Sequence, residues 1–323
     1  MQYLVGTDEA GYGPNLGPLL VSATVWEVPD GVDGEQLYTR LADVIVASPA
    51  EVARQPSRLV AMADSKVLYK PKQGLRHLER GLWAAMAVLD RRPNAWLDVW
   101  QSLAPNAIGP MQTVPWYMGY EMAVPLDADP GTLDTLALAL QEALAAAGVR
   151  LLDIHSRAVF PGQFNALIDT HDNKGSALSH TTLDLVAQVT RPLGPGRVSV
   201  LCDKHGGRNR YGPLLQSHFP DSLIEIHGES RQRSIYRFGP PERRFDVRFQ
   251  MKGETYLPAA LASMASKYLR ELAMRALNAF WCREVPDLKP TAGYPQDAKR
   301  FKAEIAEKQA KLGIEDRILW RVR

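Results

Sequence analysis

Acidic residues follow apolar, strand-like segments at two distant places in the chain. Asp8 and Glu9 come after the segment Gln2–Thr7, and Asp203 comes after the β-branched segment Arg197–Cys202. Carboxylates brought to one edge of a mixed sheet can hold Mg²⁺ or Mn²⁺, which prefer oxygen ligands. A pair of such ions can clamp the attacking and leaving oxygens of a phosphoryl displacement. The alternative, which the residues alone leave open, is that each acid is a solvated turn residue.

The glycines after the first two acids suggest a different chemistry. The segment GYGPNLG, residues 11–17, has glycines spaced loosely like a dinucleotide-binding loop, which would hold a pyrophosphate at a helix N-terminus. The spacing differs by one residue, and Pro14 and Pro18 flank a segment that favours a strand over a helix. Two carboxylates directly upstream would also repel a phosphate in the absence of a metal. We therefore favour the metal site.

Hydrophobic patterning predicts the elements that carry these acids. Leu19–Val28 is predicted to form a hairpin with the first strand, which is expected to end at Asp8. Asp64 or Ser65 is predicted to cap a helix. Residues 91–131 are rich in proline and aromatic residues and are predicted to be irregular. The other predicted elements are a strand at residues 149–160, two or three strands within residues 223–250, helical spacing beyond Gly74, and helices at Thr132–Ala147, Asn173–Val189, Leu257–Phe280 and from about Gly293 onward.

Composition narrows the class of protein. The chain has 323 residues, of which 46% are hydrophobic, so it can bury a substantial core. The formal net charge of +2 is too small to indicate a polyanionic partner, so any such evidence must come from local clusters. Cys202 and Cys282 are far apart and lack ligand-spaced partners, which favours a reducing, cytoplasmic compartment. The sequence predicts neither a signal peptide nor a membrane span.

Five segments resemble, in order, the motifs of the type 2 ribonucleases H. The first matches the opening motif Asp-Glu-Ala-Gly-Arg-Gly of that family, and the others match its second acidic motif, its third acidic strand, its Lys-Gly-Asp segment with the helix that follows, and its C-terminal helical part. The segments are GTDEAGYGPNLGPLL at 6–20, DSK at 64–66, VLCD at 200–203, KGETYLPAALASMASKYLRELAM at 252–274 and GYPQDAKRF at 293–301.

The resemblance implies an α/β fold, with an RNase H-like mixed β-sheet flanked by helices and a C-terminal helical subdomain. It implies a catalytic domain at residues 1–275, with insertions at about 29–60, 91–150 and 212–245, and a helical extension at 276–323. It also implies a monomeric two-metal endonuclease that cuts the RNA strand of RNA–DNA hybrids, or embedded ribonucleotides in duplex DNA, with two Mg²⁺ or Mn²⁺ ions. The implied catalytic metal ligands are Asp8, Glu9, Asp203 and Glu254.

The chain departs from the family pattern at two of these motifs. Tyr12 stands where the family has the arginine of its Gly-Arg-Gly motif, which helps to recognise the 2′-hydroxyl side of the junction. Glu254 stands where an aspartate is usual, and its side chain is one methylene longer. An alternative function follows from these departures: a nucleic-acid-binding protein that keeps the fold but has altered or lost cleavage.

Basic and polar residues near the motifs are candidate contacts to the nucleic acid. Lysines and arginines beside the acids would neutralise phosphates, glycines would allow close approach of the backbone, and an aromatic residue would pack on a sugar. For each of them a solvated surface role is the alternative. The predicted substrate-binding residues are Gly11, Tyr12, Gly13, Ser65, Lys66, Asn173, Lys174, Lys204, Arg208, Arg210 and Tyr294.

Two further features have no settled role from sequence. His205, two residues past Asp203, could shuttle a proton near the metals, or could be structural. Six arginines between residues 231 and 248 are interleaved with aromatic residues; they could follow a duplex backbone, or they could be outward charges on strand hairpins. These arginines are Arg231, Arg233, Arg237, Arg243, Arg244 and Arg248.

Overall fold

The computed structural model describes residues 1–70, 74–251 and 256–322. These residues contain a seven-stranded sheet and a separate two-stranded sheet formed by β3 and β4. The strands are β1 (Gln2–Ala10), β2 (Leu19–Val28), β3 (Ile45–Val46), β4 (Val60–Ala61), β5 (Arg150–Val159), β6 (Val198–Asp203), β7 (Glu225–Glu229), β8 (Arg233–Phe238) and β9 (Phe245–Gln250).

The large sheet is mixed, with the order β5-β2-β1-β6-β9-β8-β7. β2 is antiparallel to both β1 and β5, whereas β6 is parallel to β1 and to β9. The hairpin of β7 and β8 continues the sheet beyond β9. With the helices on its faces, this sheet confirms the predicted α/β class.

Helices cover both faces of the sheet because its strands alternate between two cores. On β1, Leu4 belongs to the core that includes Leu261 of α11, and the next residue, Val5, belongs to the core that includes Leu185 of α9. The helices are α1 (Gln36–Arg40), α2 (Pro49–Val52), α3 (Ser65–Leu68), α4 (Arg76–Val88), α5 (Trp96–Leu103), α6 (Ile108–Met111), α7 (Pro130–Ala147), α8 (Pro161–His171), α9 (Lys174–Thr190), α10 (Gly212–His218), α11 (Leu257–Glu284), α12 (Pro295–Lys311) and α13 (Asp316–Leu319).

The start of α11 lies directly against β1. A Cβ atom added at Gly6 would be 2.2 Å from the backbone nitrogen of Ala259, so a larger residue would push the helix off the strand. The hydroxyl of Thr24 on β2 donates to the Pro258 carbonyl at 2.7 Å. These contacts hold α11, which follows Glu254 in the sequence, against β1 and β2. β1 carries Asp8 and Glu9.

Most predicted elements are confirmed, with three differences. β1 continues through Asp8 and Glu9 to Ala10, so the prediction that the strand ends at Asp8 is wrong; both acids pair with β2 within the strand. Residues 91–131, predicted to be irregular, contain α5 and α6. Helices α8 and α10 were not predicted from the sequence. Helix α11 passes through residue 275 without a break, and the division of the chain there stays a prediction.

No helix in the described part of the chain combines the length and apolar character needed to cross a bilayer.

Three histidines join helices α8, α9 and α10. The rings of His171 and His180 stack with centroids 3.9 Å apart, and His180 Nδ1 lies 3.0 Å from His218 Nε2. His218 Nδ1 in turn lies 3.1 Å from Asp184 Oδ1, which also pairs through its other oxygen with Arg157. Imidazoles packed this closely repel one another when protonated.

We therefore expect His180→Gln to make the fold less sensitive to acid. Burial lowers the pKa of His180, and repulsion from His171 and His218 lowers it further. A histidine whose pKa is lowered by folding leaves the free energy of unfolding at its full value above the unfolded pKa of 6.5. That free energy falls as the pH drops below 6.5, because the unfolded state then binds the proton more readily. The Tm of the wild type should thus fall more than that of the variant between about pH 7.5 and about pH 5.5. His227→Gln, at an exposed position of β7, serves as the control and should follow the wild type. Equal losses in the wild type and His180→Gln would contradict the expectation.

Candidate active site

The two acidic segments meet because β1 and β6 are parallel neighbours. The last paired residues are Gly6 and Leu201, and Asp8 and Asp203 each lie two residues further along their strands. With the two-residue repeat of a strand, Asp8 and Asp203 belong to the same face of the sheet. The sequence prediction that strands bring these carboxylates to one place is therefore met for this pair.

The carboxylates repel one another in a partly buried environment. Burial raises the pKa of Asp8 to about 7, and the nearby charges of Asp64 and Asp203 contribute. Burial also raises the pKa of Glu9 to about 8, with further repulsion from Asp8 and Asp203. Such a shared, poorly solvated negative charge is typical of a functional site.

Asp64 is an acid of the site that the sequence analysis placed in the DSK motif and at a helix cap, but did not predict as a metal ligand. It does cap α3, since its Oδ1 accepts the Lys66 N–H at 3.0 Å. Its carboxylate is also close enough to Asp8 to raise the pKa of that acid, after the larger effect of burial. The available signal was the DSK motif itself, in which the aspartate can both cap a helix and face the other acids.

A serine on α11 connects these acids. The Ser263 hydroxyl lies 3.5 Å from Asp64 Oδ1 and 3.1 Å from Ser65 Oγ, and it accepts the Ser65 N–H at 3.2 Å. A hydrogen bond from Ser263 also lowers the pKa of Asp8, against the larger opposing effect of burial. One turn further along, Ser266 donates to the Asp8 carbonyl at 3.0 Å. Helix α11 thus orients the acidic strand and the DSK segment together.

Lys66 and Ser65 occupy different environments, although they are neighbours in the predicted phosphate-binding motif. The Lys66 side chain is largely exposed, with its Nζ 3.7 Å from Asp64 Oδ2. Its charge partly offsets the effect of burial that raises the pKa of Glu9, which places the ammonium near that carboxylate. Ser65 is buried against Ser263. Lys66 is therefore the member of the motif that is accessible to a substrate.

Tyr12 lies between the acids and the start of α9. Its hydroxyl would be 2.9 Å from a Cβ added at Gly206 and 3.8 Å from one added at Gly175. Burial raises the pKa of Tyr12, with an added effect from Glu9 and an opposing one from Arg208. The ring thus fills the space between Glu9, the glycine loop after β6 and the N-terminal turn of α9.

The predicted contacts from α9 and from the glycine loop lie on this side of Tyr12. Arg208 donates to Ser176 Oγ at 2.7 Å, and Asn173 caps α9 by accepting the Ser176 N–H at 2.9 Å. Lys174 is the first residue of that helix. The structure therefore brings Tyr12, Asn173, Lys174 and Arg208 together beside the acids.

Two buried arginines hold the loop that connects β1 to β2. Arg270 on α11 donates to the carbonyls of Pro18 at 2.8 Å and Leu16 at 3.2 Å. Arg321 donates to the Gly11 carbonyl at 2.5 Å and also to that of Pro14. Both lie far from the loop in sequence, and no motif or spacing indicated this role.

Gly11 and Gly13 differ in what the loop demands of them. Gly11 has a φ of +90°, and a Cβ there would lie 2.6 Å from the Pro18 carbonyl oxygen and 2.8 Å from Arg270 Nη1. Only glycine fits both the conformation and the space. Nothing lies within 4 Å of a Cβ added at Gly13, so that position is open to a ligand.

Other predicted site residues have internal or surface contacts. Lys204 Nζ donates to Ser234 Oγ at 2.7 Å and to the Ser230 carbonyl at 2.8 Å, so it ties the glycine loop to β8. Arg210 is exposed, with its Nε 3.8 Å from Glu229 Oε2. Tyr294 is 58% exposed at the start of α12.

His205 has a structural environment. It is buried, its Nδ1 is 3.0 Å from Ser179 Oγ, and its ring packs edge-on against Tyr211 and Phe249. Burial lowers its pKa to about 3. The structural alternative for His205 is therefore the one that its contacts support.

The acids fit a hard divalent cation in chemistry and charge. Carboxylate oxygens are the ligands that Mg²⁺ and Mn²⁺ prefer, and a cation would relieve the repulsion that raises the pKa of Asp8 and Glu9. Within residues 1–70, 74–251 and 256–322, no three His, Cys, Asp or Glu side chains form a group that could hold a metal ion. The fourth implied ligand, Glu254, lies outside the described residues.

The fold and site define an α/β protein in which Asp8, Glu9 and Asp203 lie near the C-terminal ends of two adjacent parallel strands. No family model matches the chain, and no curated protein matches it in sequence. Solved structures do resemble it, and they are of the kind that the sequence motifs resemble.

The ribonuclease H2 from Pyrococcus horikoshii OT3 is similar over 98% of this chain and 92% of that chain, with 15% identity and a TM-score of 0.47. RNase HII from Archaeoglobus fulgidus, in a complex with PCNA, is similar over 99% and 94%, with 13% identity and a TM-score of 0.43. Bst-RNase HIII in complex with Mn²⁺ is similar over 99% and 66%, with 13% identity and a TM-score of 0.42.

Proposed function

We propose that the chain is a metal-dependent endoribonuclease that hydrolyses the RNA strand of RNA–DNA hybrids, or embedded ribonucleotides in duplex DNA. The observation that carries the proposal is the group of mutually repelling carboxylates, Asp8, Glu9 and Asp203, on adjacent parallel strands. These acids would hold two Mg²⁺ or Mn²⁺ ions, together with Glu254 as the resemblance implies. When bound, such ions supply an activated water and stabilise the leaving oxygen of a phosphodiester.

The surrounding residues would orient the acids and the substrate. Ser263 holds Asp64 and Ser65 together and donates to Asp8, which fixes the carboxylates before substrate arrives. The exposed ammonium of Lys66 would attract a phosphate beside Glu9. Preorganised charges of this kind lower the barrier because they need little rearrangement during the reaction.

Tyr12 and the start of α9 would form the other side of the cleft. Arg208 and Lys174 would neutralise backbone phosphates, and backbone N–H groups in the first turn of α9 favour negative charge. Tyr12 would contact a sugar or base with its ring, where the resembled family uses an arginine. Contact through a ring in place of a guanidinium would alter how the 2′-hydroxyl is recognised.

Cleavage of defined duplexes tests this proposal. The full chain is incubated with an RNA–DNA hybrid, with a DNA duplex that contains one ribonucleotide, and with an all-DNA duplex, each in Mg²⁺, Mn²⁺ or EDTA. We expect metal-dependent cuts in the ribonucleotide-containing substrates alone. Asp203→Asn, purified in the same way, should lose about 1,000-fold in rate, since several kcal/mol of stabilisation depend on the acids. Equal cleavage by this variant would identify a contaminating nuclease and would leave the proposal without support.

The second candidate function is nucleic-acid binding with altered or lost cleavage. Tyr12 in place of arginine favours it. Binding of the hybrid without cleavage in either metal would establish this second function in place of the first. Cuts in the all-DNA duplex would instead indicate a nuclease with changed sugar discrimination.

A further inference from the structure

Three arginines meet one buried aspartate on the large sheet. Arg197 Nη2 lies 3.0 Å and Arg237 Nε 3.1 Å from Asp246 Oδ2, and Arg248 Nε lies 3.0 Å from Asp246 Oδ1. The Asp246 side chain is 1% exposed. Burial alone would raise its pKa, but hydrogen bonds and charge from the three arginines hold the pKa below its usual range.

The arginines carry more charge than the aspartate neutralises. Three positive charges face one negative charge, and the arginine side chains are 49%, 43% and 36% exposed. A guanidinium has five N–H donors in a planar fork, and each arginine directs one nitrogen at Asp246. One arginine would be enough to pair the carboxylate, so the arrangement holds a net positive surface in a fixed orientation.

This surface lies on the same face of the sheet as Asp8 and Asp203. In the strand register, Asp203 pairs with Gln250 and Gln250 with Arg233, while Ser199 pairs with Asp246 and Asp246 with Arg237. Since neighbouring strands are about 4.8 Å apart, the Cα of Arg233 is roughly 10 Å from that of Asp203. A polymer bound at the acids could therefore extend across β9 and β8.

In the part of the chain that the structure describes, helix α11 does not cover β8 and β9. The helix packs mainly on β1 and β2. A cavity of about 260 Å³ lies between residues 31–34 and the strands β1, β6 and β9. Arg197, Ser199 and Arg248 line one side of this cavity, and Asp33 and Tyr256 also line it. The cavity has room for a phosphate group and its solvent beside the two guanidinium groups.

Other arginines of the same sequence stretch have internal roles. Arg243 donates to the carbonyls of Thr190 and Arg191, the latter at 3.4 Å. Arg244 donates to the Gly239 carbonyl at 2.9 Å and pairs with Glu225. Arg243 and Arg244 therefore differ from Arg237 and Arg248, which face Asp246.

We propose that Arg197, Arg237 and Arg248, with Arg233 beside them, form a contact surface for the phosphodiester backbone of the duplex away from the point of cleavage. Asp246 is the positioning residue that fixes the three guanidinium groups. This inference rests on the proposed function for its ligand, and it extends the substrate path onto the β7–β8 hairpin.

Binding in the absence of metal tests the surface without any cleavage. A fluorescently labelled RNA–DNA hybrid is titrated with the full chain in EDTA at several NaCl concentrations. Arg237→Gln with Arg248→Gln should weaken binding about tenfold and reduce the slope of log K against log salt by about 2, because two phosphate contacts are lost. The matched control is Arg54→Gln with Arg92→Gln, at exposed arginines that pair with exposed or half-exposed acids, and it should change neither value.

Two more variants separate substrate contact from a structural role. Arg237→Lys with Arg248→Lys keeps the charge, so it should retain the wild-type salt slope even if its Tm falls as far as that of the glutamine pair. Asp246→Asn removes one negative charge, so the change in net charge alone predicts tighter binding, whereas loss of positioning predicts weaker binding. Tighter binding would overturn the role of Asp246.

An unchanged Kd and salt slope in the glutamine pair, with a folded protein, would overturn the surface itself. This outcome is distinct from failure of the proposed function. If the protein cleaves the hybrid but binds it independently of these arginines, the proposed function is supported and the proposed contact surface is overturned. If the protein does not cleave the hybrid but its binding depends on these arginines, the contact surface is supported and the proposed cleavage is overturned.

Discussion

Asp8→Asn is expected to stabilise the metal-free protein while reducing cleavage about 1,000-fold. Activity should fall because the carboxylate is a proposed metal ligand at the reacting phosphate. Stability should rise because the variant removes a partly buried charge that Asp64 and Asp203 repel. The amide can still accept a hydrogen bond from Ser263, and its NH₂ group can donate to the neighbouring carboxylates. Sites built for chemistry commonly carry this kind of strain.

The stability gain should depend on pH with a definite sign. Burial raises the pKa of Asp8 from 3.8 to about 7 in the fold. Below pH 3.8 the carboxyl is protonated in both states and costs nothing. Between the two values the folded state must take up a proton, and above about pH 7 the penalty is constant at up to roughly 4 kcal/mol. The variant should therefore gain little near pH 4 and most above pH 7.

Thermal unfolding in EDTA at about pH 4.5 and about pH 8 measures this effect. We expect the Tm of Asp8→Asn to exceed that of the wild type by several degrees at the higher pH. Asp43→Asn, at an exposed position, is the control and should change the Tm little at either pH. Added Mn²⁺ should raise the wild-type Tm more than that of Asp8→Asn, since a ligand that binds the folded state stabilises it. A lower Tm for Asp8→Asn at pH 8 would contradict the repulsion on which the site is based.

Local patterns predicted the strands that carry the acids because each pattern depends on near neighbours. The β2 bounds, Leu19–Val28, follow from a segment rich in apolar and β-branched residues, and the strand before Asp203 follows from β-branched residues. The end of β1 was missed because pairing with β2 outweighs the low strand preference of Asp8 and Glu9. Tertiary pairing decides such cases.

Contacts between distant segments could not be predicted in the same way. Lys204 and Arg208 are four residues apart in one basic loop, but Lys204 ties the loop to β8 whereas Arg208 contacts Ser176 on the side of Tyr12. The spacing of these two residues in the sequence does not predict this difference. Ser263 contacts the acids from a helix nearly 200 residues after Asp64, and Ser266 of the same helix also follows an alanine.

The contact of Arg321 with the β1–β2 loop is such a distant feature, and Arg321→Ala is expected to destabilise the fold strongly. Its side chain is fully buried, packs over the Phe164 ring at 4.7 Å and donates to the Gly11 and Pro14 carbonyls. The backbone N–H of Arg321 also donates to the Asn15 carbonyl at 2.9 Å. Alanine would leave a cavity and two carbonyls without this donor, at a cost of about 3 kcal/mol.

Burial of the charge partly opposes this cost. Burial, with repulsion from Arg270, lowers the pKa of Arg321 well below its usual value, so the guanidinium is itself held unfavourably. Arg321→Met separates the two effects, because it keeps most of the volume over Phe164 and removes both the charge and the donors. We expect the methionine variant to keep most of the stability that alanine loses.

Cleavage should fall in both variants, because the loop that they release carries Tyr12. A displacement of about 1 Å at a reacting centre can cost about 100-fold in rate, so we expect a loss of between roughly 10- and 100-fold at temperatures well below the Tm. Arg317→Ala, which removes an exposed pair with Asp169, is the control and should change stability by no more than about 0.5 kcal/mol. Denaturant unfolding and initial cleavage rates measure the two quantities. Full activity in Arg321→Met would show that the loop keeps its position without the hydrogen bonds from Arg321 to the Gly11 and Pro14 carbonyls.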